Sequence, residues 1–139
     1  MMTIDLERKI IYVAAAIIVD AKQRILLVRK KNTAFFMQVG GKIEPNESAQ
    51  AALKREIAEE IQVTSEIISD LGIIQTQAAN EAGFSLQAHL FEVNILGTPK
   101  PSAEIAEMLW LDLTQSISVP LAPLTRDFVI PRVQQVQSQ

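Results

Sequence analysis

An α+β fold, with helices packed on a largely antiparallel sheet, is what the sequence predicts, and three observations predict it. Runs of β-branched and aliphatic residues bounded by turn residues recur along the chain, one stretch has the composition of an amphipathic helix, and a second helical pattern lies near the C-terminus. At 139 residues the chain has the size of one ordinary domain and enough length to bury a real core. One domain over residues 1–139 is the expectation, because no repeat, low-complexity segment or linker divides it.

The apolar run from Ile10 to Val19 reads as a buried strand, and "RILLVRK" over 24–30 as a second, joined to it through "DAKQ" as a hairpin. The first run is too short to span a bilayer. Asp5 and Glu7 cancel the charge of Arg8 and Lys9 ahead of it, and no small-residue cleavage site follows, so neither a signal peptide nor a membrane partner is expected. As a sheet edge, this strand can pair across a homodimer. "FFMQVGG" looks like a short strand ending at a glycine turn, and residues 48–61 have helical composition without Gly, Pro or a β-branched run. "EIISDLGIIQTQ" and "FSLQAHLFEVNIL" read as two long antiparallel strands linked by "AANEAG", where Asn80 and Gly83 suit a turn. "GTPKPSAE" is a loop and "MLWLDL" the strand beyond it. Residues 124–136 form a second helix with Leu124, Phe128, Val129, Val133 and Val136 as its apolar positions, which Pro131 should kink or break.

Composition narrows the function classes. With 48% apolar residues, 21% charged residues and a formal charge of −3, the chain reads as globular, without the basic excess of a protein that binds nucleic-acid polymers. It has no cysteine, which excludes a disulfide framework and thiol catalysis and is compatible with the reducing cytoplasm, the expected location.

The helix over 48–61 carries the chemistry. At 100° per residue, Glu59 lies at about 300° and Glu60 at about 40° from Glu56, so the three carboxylates share a face. Leu53, Ile57 and Ile61 fall at about 60°, 100° and 140°, an apolar stripe that can dock on the sheet. Ala49 and Ala52 leave the acidic side open to a ligand, and Arg55 can reach Glu59 at i, i+4. Like charges at this spacing weaken an isolated helix by roughly 0.2–0.5 kcal/mol per pair, so a compensating group is expected. A solvated acidic face that pairs locally with Lys and Arg would also explain "KREIAEE" by itself. Mg²⁺, held by a few carboxylates with waters and substrate phosphates, fits the same pattern.

The residues before the helix add a second feature. Gly40 and Gly41 permit a tight turn and close approach of a ligand to the backbone. Gly41, Glu47, Arg55, Glu56, Ile57, Glu59, Glu60 and Val63 together resemble the signature of the Nudix hydrolases, G-x5-E-x7-R-E-U-x-E-E-x-G-U with U a bulky aliphatic. Gln62 replaces the final glycine, where a non-glycine residue in a left-handed conformation costs on the order of 1 kcal/mol. "QVGG" stands in place of the family's common "PGG".

The resemblance implies an α/β/α sandwich with a mixed sheet between helices, and hydrolysis of a nucleoside diphosphate linked to another group with Mg²⁺ or Mn²⁺ as cofactor. It implies Glu56, Glu59 and Glu60 as metal ligands with the Gly40 carbonyl, Arg55 and Glu47 as a supporting pair, and Glu59 or Glu60 as general base. Related enzymes often supply a further carboxylate from the loop before the last strand, for which Glu104 is preferred over Glu107, two exposed loop glutamates being the plain alternative. Lys30 and Lys31 are candidates for meeting a phosphate, Gly41 for close approach of the substrate to the backbone, and Phe35 or Phe36 for stacking on a base, although a loop-end charge and a core aromatic are the commoner outcomes. His89, the only histidine, reads as a surface or pocket-lining residue, with no partner acid evident near it in sequence.

"QTQAANE" shows neither the proline that often marks ADP-ribose pyrophosphatases nor the tyrosine of diadenosine polyphosphate hydrolases, and the upstream pattern of the coenzyme A branch is absent. By elimination the chain resembles the branch acting on normal or oxidised nucleoside triphosphates. An NDP-sugar or ADP-ribose-like pyrophosphatase, or a non-catalytic nucleotide sensor, is the alternative.

Overall fold

The structure is a computed structural model describing residues 3–138. Its elements in chain order are β1 (Ile4–Asp5), β2 (Ile10–Ile17), β3 (Arg24–Lys30), β4 (Val39–Lys42), α1 (Ala49–Ile61), β5 (Thr64–Gln77), β6 (Ser85–Leu96), β7 (Ile105–Asp112), a π-helical turn (Thr125–Val129) and α2 (Ile130–Gln137). The larger sheet has the order β1-β2-β6-β5, with β4 also paired to β2. Its pairings are antiparallel except for β2 with β6, which run parallel from Ile10 opposite Ser85 to Ile17 opposite Glu92. Strands β3 and β7 form a second, antiparallel pair.

The long apolar run in β2 is explained by cover on both faces, as expected for a strand without alternation. Ala14 and Ala16 join Leu53, Ile57 and Ile61 of α1 in one core, while Ala15 and Ile17 join Val129, Ile130 and Val133 in a second. β3 behaves alike, with Leu26 and Val28 in the first core and Ile25 and Leu27 in the second. The result is a mixed sheet with a helical layer on each face, the sandwich that the family resemblance implies.

Two expectations are corrected by the same fact of sheet order. β2 and β3 do not form a hairpin ladder; a Val19–Ile25 bridge and the bond from Leu26 N–H to the Ile18 carbonyl (2.9 Å) join them near the turn. β2 is already flanked by β1 and β4 on one edge and β6 on the other, so β3 pairs with β7 instead. For the same reason β2 is not the edge strand on which the expected homodimer pairing rests: among the described residues it has partners on both sides.

The long hairpin β5–β6 is antiparallel as expected, from Thr64 opposite Leu96 to Gln77 opposite Ser85, with irregularities near Ile67 and Asp70. The second helical region differs in detail. Pro131 stands in the first turn of α2 rather than breaking it, and the Ile130 N–H reaches the Thr125 carbonyl across the wider π-helical turn ahead. A proline there needs no N–H partner, and the irregular turn upstream absorbs the bulk of its ring. Leu124, Val129 and Val133 are buried, whereas Phe128 and Val136 face solvent. Among the described residues no helix is long and apolar enough to cross a membrane.

Candidate active site

Strand β4 and helix α1 lie against each other and bring the glycine turn beside the carboxylates. The helix starts at Ser48, whose hydroxyl accepts from the Ala51 N–H (3.1 Å). Its apolar stripe is buried as predicted, which fixes its rotation. That rotation sorts the acidic residues by depth: Glu60 is 3% exposed, Glu56 is half-buried and the Glu59 side chain is 60% exposed.

Arg55 organises three of the carboxylates. It clasps Glu47 with two bonds, Nε to Oε2 and Nη2 to Oε1, both 2.9 Å, and its Nη1 donates to Glu56 Oε1 at 2.8 Å. Nη2 also donates to the Lys42 carbonyl (3.1 Å), tying the helix to the end of β4. Glu59, the partner expected from helical spacing, is more distant at 3.5 Å. The Arg55 hydrogen bonds hold the Glu47 carboxyl down at about 2, and in return the Glu47 bonds raise Arg55 above its ordinary value.

Glu60 occupies the deepest position. Its Oε1 accepts from the Gly40 N–H (3.1 Å), and its Oε2 lies 3.1 Å from Lys30 Nζ at the end of β3. Burial pushes Glu60 up to about 7, against the opposing effect of Lys30 and the Gly40 N–H. Burial also raises Glu56, although the Arg55 hydrogen bond opposes it. Lys30 is itself raised: burial, the largest single influence, lowers it, but the charge and hydrogen bond of Glu60 together with the charges of Glu56 and Glu104 outweigh that effect.

The two glycines serve different contacts. A Cβ on Gly40 would strike the Ala14 carbonyl of the adjacent strand, whereas one on Gly41 would meet the Glu56 carboxyl carbon at 2.5 Å. Glu56 therefore lies over Gly41 in space that only glycine leaves open. Gly40 meets Glu60 through its N–H, whereas the family resemblance implies its carbonyl as a metal ligand.

These groups open into a cavity of about 460 Å³ lined by Lys30, Gly40, Gly41, Glu56, Glu59, Glu60 and Glu104. Its walls also include Ile11, Val13, Leu86, Pro123 and Leu124, an apolar surface suited to a ring system. Glu104 and Glu107 are separated by their partners. Glu107 is engaged by Arg29 (2.8 Å), whereas Glu104 faces the cavity and its charge reaches Lys30.

Phe36 is placed elsewhere than a stacking role requires. It is 5% exposed, in the core with Leu124 and Val129, and leaves no ring face for a base. Its backbone instead bonds Pro120 and Ala122 (both 2.9 Å), anchoring the segment that walls the cavity. His89 does have an acid partner, Asp70, 2.8 Å from Nε2 across the β5–β6 ladder, and its ring stacks on Phe91. That pair was invisible in the sequence because cross-strand register brings it together. It borders a separate groove with Tyr12, Ser48 and Gln87, not the carboxylate cavity.

Sequence reasoning also missed the buried pair beside the cavity, where Thr125 Oγ1 donates to Gln38 Oε1 (2.9 Å) and Gln38 Nε2 donates to the Ala16 carbonyl (3.0 Å). No periodicity connects residues so far apart in the chain.

Gln62 ends α1 in the left-handed conformation, with φ 59° and ψ 39°. The position thus keeps the geometry that favours glycine. Its side-chain amide lies 3.3 Å from the Lys100 and Pro101 carbonyls, and the N–H groups of Lys100 and Ser102 bond the carbonyls of Ile61 and Glu60 (both 2.9 Å). The helix end is therefore capped by the loop leading to Glu104. Gln62→Gly should stabilise the protein by about 0.5–1 kcal/mol in urea denaturation, since relief of left-handed strain outweighs two long hydrogen bonds. A loss of stability would mean that the amide contacts dominate.

The fold is shared with known proteins. The NUDIX domain model matches residues 9–130. A Bacillus subtilis (strain 168) protein provisionally named an 8-oxo-dGTP diphosphatase is 31% identical over 100 residues, 70% of this chain and 64% of that relative. The match thus spans a little under two thirds of the relative's length. Among solved structures, the MutT protein of Methanosarcina mazei Go1 superposes with a TM-score of 0.76 at 22% identity, covering 97% of this chain and 100% of its own. The MutT NUDIX hydrolase of Burkholderia pseudomallei gives a TM-score of 0.75 at 25% identity, covering 91% and 98%.

Proposed function

The chain belongs to the NUDIX domain family, and from that premise we propose that it is a divalent-metal-dependent pyrophosphohydrolase of a normal or oxidised nucleoside triphosphate. The observation carrying this reading is the arrangement around Arg55 and Lys30: four carboxylates, of Glu47, Glu56, Glu59 and Glu60, are paired with two cations beside a cavity with an apolar wall. The similarity to a relative provisionally named an 8-oxo-dGTP diphosphatase supports the choice of substrate class.

The donor set fits Mg²⁺ or Mn²⁺. Oxygen ligands suit these hard ions, and Glu56 and Glu60 carry carboxylates that burial has left short of compensating charge. Among the described residues no three acidic or histidine side chains already close on one point, because Arg55 holds Glu56 and Glu59 while Lys30 holds Glu60. Glu56, Glu59 and Glu60 would hold the ion, with the Gly40 backbone adjacent. When bound, it would neutralise diphosphate charge and make a water more acidic.

The chain's own groups would do the rest. Arg55 and Glu47 keep the helix and the β4 turn in register. Glu60, with a pKa raised toward neutrality, is suited to accept a proton from water, and the more exposed Glu59 is the other candidate base. Gly41 lets a phosphate approach the backbone, and the apolar wall would take the base.

Release of inorganic pyrophosphate or phosphate from a panel of normal and oxidised nucleotides, with and without Mg²⁺ or Mn²⁺, tests this. Metal-dependent turnover of at least one triphosphate is expected; binding without hydrolysis across the panel would support a nucleotide sensor instead. Glu104→Gln should lower turnover at least about 10-fold while Glu107→Gln changes it less than about two-fold, the difference between a carboxylate facing the reaction and one paired at the surface. Unchanged turnover in Glu104→Gln removes that residue from the site.

A further inference from the structure

We propose that Lys30 is an internal counter-ion that holds Glu60 in the metal-free protein, yields its place to a divalent cation, and passes to a phosphate of the nucleotide. This rests on the metal-dependent hydrolysis proposed above and adds a coupling between the two ligands.

The two oxygens of Glu60 are held by different kinds of partner. Oε1 is fixed by the Gly40 backbone N–H, whereas Oε2 is held by the end of a flexible lysine. The Glu60 side chain is 4% exposed and that of Lys30 is 36% exposed, so the ammonium reaches inward from the cavity mouth to a buried carboxylate. A cation shared by Glu56 and Glu60 would lie next to that ammonium, and the two positive charges would repel. Lys30 can respond because its stem has many rotamers and its ammonium is a point charge without a fixed fork.

Its neighbours cannot take this role. Arg29 is locked by Glu107 and by the Thr33 carbonyl (both 2.8 Å), and Lys31 is exposed beyond the strand. Lys42 lines the cavity, but among the described residues Lys30 is the lysine paired with a carboxylate of the cluster. Gly41 and Lys30 line the same cavity, so the displaced ammonium has a phosphate within its reach when a nucleotide is bound. Metal binding alone then costs the Lys30–Glu60 pair, and nucleotide compensates that loss. By linkage, each ligand strengthens the other to the same degree.

The test is a Mn²⁺ titration of the intact protein by paramagnetic resonance or calorimetry, with MnCl₂ alone and then with a non-hydrolysable nucleoside triphosphate. Lys30→Met should bind Mn²⁺ alone at least about five-fold more tightly than the unaltered protein and lose most of the tightening that nucleotide brings, whereas Lys30→Arg should stay within about two-fold. Unchanged or weaker Mn²⁺ binding in Lys30→Met overturns the counter-ion role. Thermal unfolding confirms that the variant is folded, and Lys30→Gln replaces it if it is not. An unaltered protein that hydrolyses nucleotide with Mn²⁺ while Lys30→Met gains nothing rejects this inference alone; one that neither binds Mn²⁺ nor hydrolyses anything rejects the functional reading with it.

Discussion

Glu60→Gln should lower kcat by at least about 100-fold and, in the same protein, raise the stability of the metal-free fold at neutral pH. The first effect follows from removing a buried carboxylate that is both a candidate metal ligand and a candidate base. The second follows from its environment. Burial raises the Glu60 pKa from 4.5 to about 7 in the folded chain. The folded state therefore binds this proton more tightly than the unfolded state does. Any stability gained from that proton is fully present below pH 4.5 and is lost as pH rises through about 7, a change on the order of 3 kcal/mol. Glutamine cannot ionise and escapes that loss, while its amide oxygen can still accept from the Gly40 N–H. Urea denaturation of metal-free protein at pH 5 and pH 8 should show a larger fall for the parent than for Glu60→Gln. Parallel falls would reject the buried-carboxylate account. Glu59→Gln, at an exposed position, should also lower turnover. Parent-level turnover in both variants would overturn the assignment of the site.

The two glycines should separate folding from activity. Gly40→Ala is expected to cost at least about 3 kcal/mol, because its new Cβ meets backbone: the Ala14 carbonyl within the β2–β4 ladder, at a residue whose φ of 153° already disfavours a side chain. Backbone cannot yield there without breaking strand pairing. In Gly41→Ala the nearest atoms to the new Cβ are the end of the Glu56 side chain, which can swing away. That variant should keep most of its stability but lose at least about 10-fold in turnover, since Glu56 would leave its place beside Glu60. Thermal melting and initial rates measured on both proteins decide the matter. Equal loss of stability in the two variants would mean that Gly41 is also structural.

Much of the site was legible because its residues are close in sequence. Gly41, Glu47 and Arg55 to Glu60 sit on one turn and one helix, where period and spacing determine which side chains share a face. The helix boundaries and its apolar stripe could be read in the same way. Periodicity did not give depth. The helical wheel treats Glu56, Glu59 and Glu60 as equivalent, whereas packing buries Glu60 and exposes Glu59. It also pairs Arg55 with Glu59, but the folded turn offers Glu47 at shorter distance and with two bonds.

The sequence by itself determined the α+β class, the acidic helix and its glycine turn, because these depend on local spacing, propensity and patterning. Only the tertiary structure decided that β2 lies inside the sheet and pairs with β6 in parallel, that Phe36 belongs to the core, and that Lys30 reaches Glu60. Those outcomes depend on which distant segments compete for the same edge, cavity or charge. A strand with two apolar faces is satisfied by any partners that cover both, and a lysine at a strand end by any accessible carboxylate; the choice is made when the whole chain packs.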